Sequence, residues 1–78
     1  MPIDPTASAE IYEPVVKADA DLPGGVCRAL LVGVAGTANL TQPNGKQQNN
    51  VPLQQGVNPI KTKQVRLGGT ADNIWALY

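Results

Sequence analysis

Histidine is absent from this sequence, and cysteine occurs once, at Cys27. The usual zinc sites need several histidine or cysteine ligands and an intrachain disulfide needs two cysteines, so the sequence excludes both. Histidine is also the residue that most often transfers protons near neutral pH. Arg28, the neighbour of Cys27, cannot accept the thiol proton, and we interpret Cys27 as a packed thiol. We therefore predict no catalytic residue, no metal site and no cofactor.

Long hydrophobic runs are missing as well. No window approaches the roughly 18 apolar residues of a membrane span. The first residues, MPIDPTASAE, lack the basic and then apolar pattern of a secretory signal. A single cysteine fits a reducing compartment. We expect a protein made in the cytoplasm, without a membrane partner.

Aromatic residues are few, with no phenylalanine, one tryptophan and two tyrosines. Lys61, Lys63 and Arg66 form a basic run, which is one signature of nucleic-acid binding. Binding to single strands also needs several stacking aromatics, and this half of the chain offers only Trp75 and Tyr78. We predict no nucleic-acid partner and keep a small nucleic-acid-binding β-barrel as an alternative.

The chain has 78 residues and a net charge of zero. A domain of this size buries a modest core, so association with other chains is the remaining way to stabilise it. Acidic residues are concentrated in the first 21 residues, whereas basic residues predominate from Val26 onward. The two regions are either complementary contact surfaces between copies or simply solvated.

Residues 1–25 contain four prolines and end in DLPGG, which predicts an extended N-terminal arm. A short helix from Thr6 to Glu13 is an alternative that Pro14 would end. The arm also carries a small apolar cluster that needs a surface to pack against: Ile11, Tyr12, Val15 and Val16.

Residues 26–78 consist of short β-like runs separated by turn residues, which is typical of an all-β fold. We predict a small antiparallel β-sandwich or barrel of about five or six strands. Asn44-Gly45 is the strongest hairpin signal in the chain. The predicted strands lie at 27–34, buried on both faces, and at 37–42, 47–53, 60–67 and 73–78.

The last predicted strand is apolar on both faces. Alternation places Ile74, Ala76 and Tyr78 on one face and Trp75 and Leu77 on the other. We expect both faces to be covered, because an exposed apolar edge would promote aggregation. One face is therefore expected to meet another subunit.

Three segments resemble a known family. They are RALLVGVAG at 28–36, NVPLQQGVNPIKTKQV at 50–65 and GGTADNIWALY at 68–78. In this order they resemble the small spike-base and head-decoration proteins of gene transfer agent particles and related tailed bacteriophages. The arm lies outside the resemblance, and Trp75 stands where a small or β-branched residue is expected.

The resemblance implies a non-enzymatic structural protein on the outer capsid surface of a virion, acting as a decoration, a cement or the base of a head spike. Its implied partners are the major capsid protein, sister subunits in a trimer or pentamer, and a spike or fibre protein. A neck or tail structural protein is an alternative. The predicted interface residues are Ile11, Tyr12, Val15, Val16, Trp75 and Tyr78.

Overall fold

The computed structural model describes residues 10–78, and within them the chain is all-β, without a helix. The strands form two antiparallel sheets, one of four strands in the order β1-β7-β2-β5 and one of three in the order β4-β3-β6. The predicted fold class is thus confirmed. The seven strands are β1 (Tyr12–Pro14), β2 (Ala29–Val34), β3 (Gly36–Thr41), β4 (Gln47–Leu53), β5 (Gly56–Asn58), β6 (Gln64–Val65) and β7 (Asp72–Leu77).

One hydrophobic core joins the two sheets. Each sheet directs alternate side chains into it, as the period of two of a β-strand requires. Removal of these side chains from water is the main favourable contribution to folding. The buried residues are Leu30, Val32, Ile74 and Ala76 from the four-stranded sheet, and Ala38, Leu40, Leu53 and Val65 from the three-stranded sheet.

The β3–β4 hairpin forms at Asn44-Gly45, as predicted. Gly45 has a φ of 88°, and its amide donates to the Gln42 carbonyl oxygen at 2.8 Å. The Asn44 side-chain oxygen accepts a hydrogen bond from the Lys46 amide at 3.0 Å. The loop is therefore a type I turn followed by a left-handed glycine, the common three-residue hairpin connection.

The alternative of a helix from Thr6 to Glu13 is wrong for the part that the structure describes. Residues 12–14 form β1 and pair with β7, placing Tyr12 opposite Leu77 and Pro14 opposite Trp75. The edge of β7 offers backbone partners that a short helix ended by proline would lack. The first four residues of that span lie outside the described part of the chain.

The arm continues past β1 along the seam between the sheets. The Val15 amide donates to the Ile74 carbonyl oxygen at 2.8 Å, and the Ala18 amide donates to that of Val65 at 3.0 Å. The Leu22 side chain is buried in the core. This part of the arm is thus integrated into the sandwich.

The prediction of a continuous strand over residues 60–67 is wrong in extent. Only Gln64–Val65 forms a strand, against β3. Upstream, Thr62 pairs instead with Cys27, which precedes β2 of the other sheet. The chain crosses between the sheets at this point, so its alternating pattern does not belong to one sheet.

The expectation that the strand at 27–34 is buried on both faces is also wrong. Leu30 and Val32 are buried, but Leu31 is 39% exposed. The described chain has only two layers, and no third layer covers the other side of β2. The final strand shows the same asymmetry, because Ile74 and Ala76 are buried whereas Trp75 and Leu77 are only half-buried.

Gly69 and Gly45 provide a matched pair for testing the loop that leads into β7. Both have positive φ, but a Cβ at Gly69 would lie 2.4 Å from the Thr37 carbonyl oxygen, whereas one at Gly45 would meet nothing within 4 Å. We expect Gly45→Ala to lower the free energy of unfolding by about 1 kcal/mol and Gly69→Ala by about 3 kcal/mol. Urea denaturation measures both values, and equal losses would contradict the close approach.

Candidate assembly interface

The outer face of the four-stranded sheet is apolar across all four strands. Strand register aligns Pro14 with Trp75, Trp75 with Leu31, and Leu31 with Val57 in one row. Because neighbouring residues of a strand point to opposite faces, this row lies opposite the core. The outer face is defined by Tyr12, Pro14, Leu31, Val57, Trp75 and Leu77.

The outer face contains a pair of aromatic side chains in contact with each other. The rings of Tyr12 and Trp75 have centroids 6.5 Å apart and planes inclined at 54°. Tilted pairs at this distance are favourable arrangements of aromatic rings. The indole nitrogen of Trp75 donates to the Asn73 side-chain oxygen at 3.2 Å, so the indole NH has a partner within the chain. With Leu31 and Leu77 the two rings line an open depression of about 390 Å³.

Charged side chains are absent from the outer face. The four strands carry two charged residues, Glu13 and Asp72, and Glu13 aligns with the buried Ala76 while Asp72 aligns with Val34. Alternation therefore places both on the core side of the sheet, at its margins. The outer face can be dehydrated without removing a charge from water, which is the most expensive part of burying a protein surface.

The opposite surface of the molecule is polar. Register places Thr37 and Asn39 of β3 on the outside of the three-stranded sheet, with Gln47 of β4 and Gln64 of β6 beside Thr41, which is itself buried. The Thr41 hydroxyl donates to the Gln64 side-chain oxygen at 3.0 Å. The sandwich thus has one apolar and one polar outer surface, and the apolar one is the candidate site.

The six predicted interface residues separate into three groups. Tyr12 and Trp75 lie together on the outer face. Val15 and Tyr78 pack against the core, and the Tyr78 hydroxyl donates to the Gly25 carbonyl oxygen at 3.3 Å. Ile11 and Val16 flank β1 as exposed side chains of the arm, with Val16 83% exposed.

The sequence did not identify four of the residues that share the outer face with Trp75: Pro14, Leu31, Val57 and Leu77. Alternation predicts Leu77 on the Trp75 side of the last strand, but the predicted interface residues do not include it. The apolar run around Leu31 gave no alternation that would separate its two faces. Val57 lies in β5, a three-residue strand without a sequence signal of its own.

A second concavity lies between the β3–β4 hairpin and residues 60–62. It is an open groove of about 710 Å³. Its walls include Leu40, Val51 and Ile60 together with asparagine and glutamine side chains, and Lys61 is its one charged residue among those described. Nothing in this set forms an acid–base pair or a nucleophile with its base.

Cys27 has the surroundings of a structural thiol. The side chain is fully buried and pairs through its backbone with Thr62. Burial raises the pKa of the Cys27 thiol above its ordinary value of 9.0, although hydrogen bonds from Thr62 oppose this. The protonated form is therefore favoured, which is the reverse of what a nucleophilic cysteine needs.

The basic run predicted from the sequence does not form a continuous basic surface. Arg66 is half-buried, and its Nη2 atom donates to the Leu40 carbonyl oxygen at 3.3 Å, to the Gln48 carbonyl oxygen at 3.2 Å and to Asn49 Oδ1 at 2.7 Å. The Arg66 guanidinium therefore links the end of β6 to the β3–β4 hairpin through hydrogen bonds. Lys61 is exposed and Lys63 half-buried.

Within residues 10–78 there is no group of three side chains suited to holding a metal ion. The same residues contain no helix of the length and apolarity needed to cross a bilayer. No protein-family model, curated protein or solved structure matches the chain.

The buried thiol generates a prediction about pH. Because folding raises the pKa of Cys27, the unfolded chain releases this proton at lower pH than the folded chain, and the thiol's contribution to stability is lost as pH rises above about 9. Burial also raises the pKa of Tyr78, so the contribution of this group to stability is likewise lost as pH rises. We expect the free energy of unfolding to fall more steeply above pH 9 in the wild type than in Cys27→Ala.

Denaturation at a series of pH values measures the two slopes. The substitution lowers stability at every pH by removing packed atoms, so the comparison uses slopes and not absolute values. Identical slopes in the two proteins would contradict the assignment of the thiol to the core.

Proposed function

We propose that this chain is a non-enzymatic structural subunit of a tailed-bacteriophage virion or a related gene transfer agent particle. It decorates or cements the outer capsid surface or forms the base of a head spike. The resemblance of residues 28–78 to such proteins motivates the assignment. The structural observation that supports an assembly role is the uncharged, apolar outer face on a small two-layer domain.

An assembly role explains exposed apolar surface that a monomeric domain would not need. Large apolar side chains remain exposed on the outer face and on the flanking arm, including Tyr12 at 66% and Val16 at 83%. Contiguous apolar surface of this kind marks interaction sites in soluble proteins. A subunit bound repeatedly on a particle gains from symmetric contacts the stability that a small core cannot supply.

The arm supplies the proposed contact with the particle. Ile11 and Val16 are exposed on either side of β1, and the edge position of this strand brings them to the margin of the sandwich. The major capsid protein is the proposed partner of these side chains, and a spike or fibre protein would attach to the same assembly. The protein is made in the host cytoplasm and resides on the virion.

The nucleic-acid-binding alternative has less support from the site. Arg66 is engaged by backbone carbonyl groups, and Trp75 packs against Tyr12 in the four-stranded sheet, away from β6. A neck or tail position remains a proposal of the same structural class. Only the location of the chain in the particle distinguishes it from a capsid position.

Particle association is the direct test. We expect the chain to sediment with DNA-filled capsids in a density gradient prepared from the strain that encodes it, as measured by quantitative peptide mass spectrometry and by immunogold labelling of the capsid surface. Labelling confined to the neck or tail would assign the chain to that part of the particle instead of the capsid surface. Absence of the chain from all particle fractions would overturn the proposed function.

A variant pair tests the arm. We expect Val16→Asp to reduce occupancy on particles by about tenfold, because a charge would be buried in an apolar contact. Leu67→Asp is the matched control, since Leu67 is 60% exposed and lies outside both the arm and the outer face. Equal occupancy of the two variants would contradict the role of the arm.

A further inference from the structure

We propose that the outer face binds the outer face of a second copy of this chain, forming a two-fold, back-to-back dimer of sandwiches. The inference rests on the proposed function in that it takes the outer face as an assembly surface. It goes further because it specifies that a second copy binds this face and that a two-fold axis relates the two copies.

The absence of charge on the outer face suits a copy of itself. In a two-fold contact each residue near the axis meets its own equivalent, so any charge there would meet a like charge. Both charged residues of the four strands, Glu13 and Asp72, lie on the opposite side of the sheet. Two outer faces can therefore meet without like-charge repulsion.

The outside of the three-stranded sheet is a poorer partner for the outer face than a second outer face is. The outside of the three-stranded sheet carries Thr37, Asn39, Gln47 and Gln64. A head-to-tail contact would bury the apolar face against these amides and hydroxyls and leave their hydrogen-bonding groups to be satisfied. Face-to-face packing of two apolar sheets avoids that penalty and is an established mode of sheet association.

The sheet edges are less suited to association than the face. Pro14 ends β1, Pro52 lies in β4, and Pro59 follows β5 directly. In β4 the left-handed residue Asn50, with a φ of 56°, accompanies a shift in register against β3. Prolines and bulges on edge strands oppose pairing with another chain, so a copy is expected on the face instead.

The size of the outer face indicates a reversible contact. With strands about 4.8 Å apart and about 3.3 Å of rise per residue, two six-residue and two three-residue strands cover about 300 Å². Stable complexes bury about 800 Å² on each partner. We therefore expect monomers at about 10 µM and dimers at about 1 mM in solution, with the dimer favoured where copies are concentrated on a particle.

Sedimentation equilibrium of the full chain measures this association. The emission of Trp75, the single tryptophan, reports it independently, because closing the outer face removes the indole from water. We expect a dimeric mass and a blue shift of the emission at high concentration. A monomer throughout this range, or a trimer or pentamer in its place, would overturn the two-fold pairing.

Leu31 is the position for the variant test because its row, shared with Trp75, crosses the middle of the outer face. We expect Leu31→Glu and Leu31→Lys each to weaken association by at least about tenfold. Leu67→Glu is the matched control and should dimerise as the wild type does. Thermal unfolding verifies that each variant is folded, and equal weakening by Leu67→Glu would overturn the assignment to this face.

Mixing the two Leu31 variants tests whether the partner is a second outer face. Opposite charges brought together across the axis should make the equimolar mixture associate more strongly than either variant alone at the same total concentration. A mixture that associates no more strongly than the single variants would overturn the two-fold contact.

Particle occupancy of Leu31→Glu separates this inference from the proposed function. A chain that dimerises but is missing from particles overturns the proposed function alone. A wild type that stays monomeric, combined with loss of Leu31→Glu from particles, would assign the outer face to a particle protein and overturn the pairing of copies.

Discussion

The antiparallel pairing of β2 with β7 is the constraint on which the rest of the structure depends. It aligns Leu30 with Ala76 on the core side and Leu31 with Trp75 on the outer side. One register therefore defines both the hydrophobic core and the outer face. A shift by a single residue would exchange the two sets of side chains, so the same backbone hydrogen bonds that stabilise the sandwich also fix its candidate interface.

The arm completes this arrangement, since β1 pairs with the free edge of β7 and the following residues cross to the three-stranded sheet. The Tyr78 amide donates to the Ile11 carbonyl oxygen at 2.8 Å, and the Leu22 amide donates to that of Lys63 at 3.0 Å. Both bonds join residues far apart in the sequence. The C-terminal strand is thus held on both sides, which explains how a tryptophan near the end of the chain keeps a defined position.

Short-range signals predicted the parts of the fold that local chemistry determines. Asn44-Gly45 identified the hairpin because few residues adopt the left-handed conformation that Gly45 requires, and alternation in the last strand identified Ile74 and Ala76 as core. Strand pairing over long separations has no such local signal. For that reason β1, β5 and the outward position of Leu31 were missed, and with them most of the outer face.

Charge was the sequence feature whose meaning changed most in the structure. The acidic arm and the basic body suggested either complementary surfaces on different copies or two solvated regions. In the fold, the Gln64 side chain donates to Asp21 Oδ1 at 2.8 Å, and the Leu22 amide bonds to Lys63, so this part of the arm lies against the basic segment of its own chain. Lys17 likewise donates to the Ala71 carbonyl oxygen at 2.7 Å. These polar groups are therefore satisfied within one copy, and a contact through the apolar outer face would depend on removal of water and much less on ion pairing.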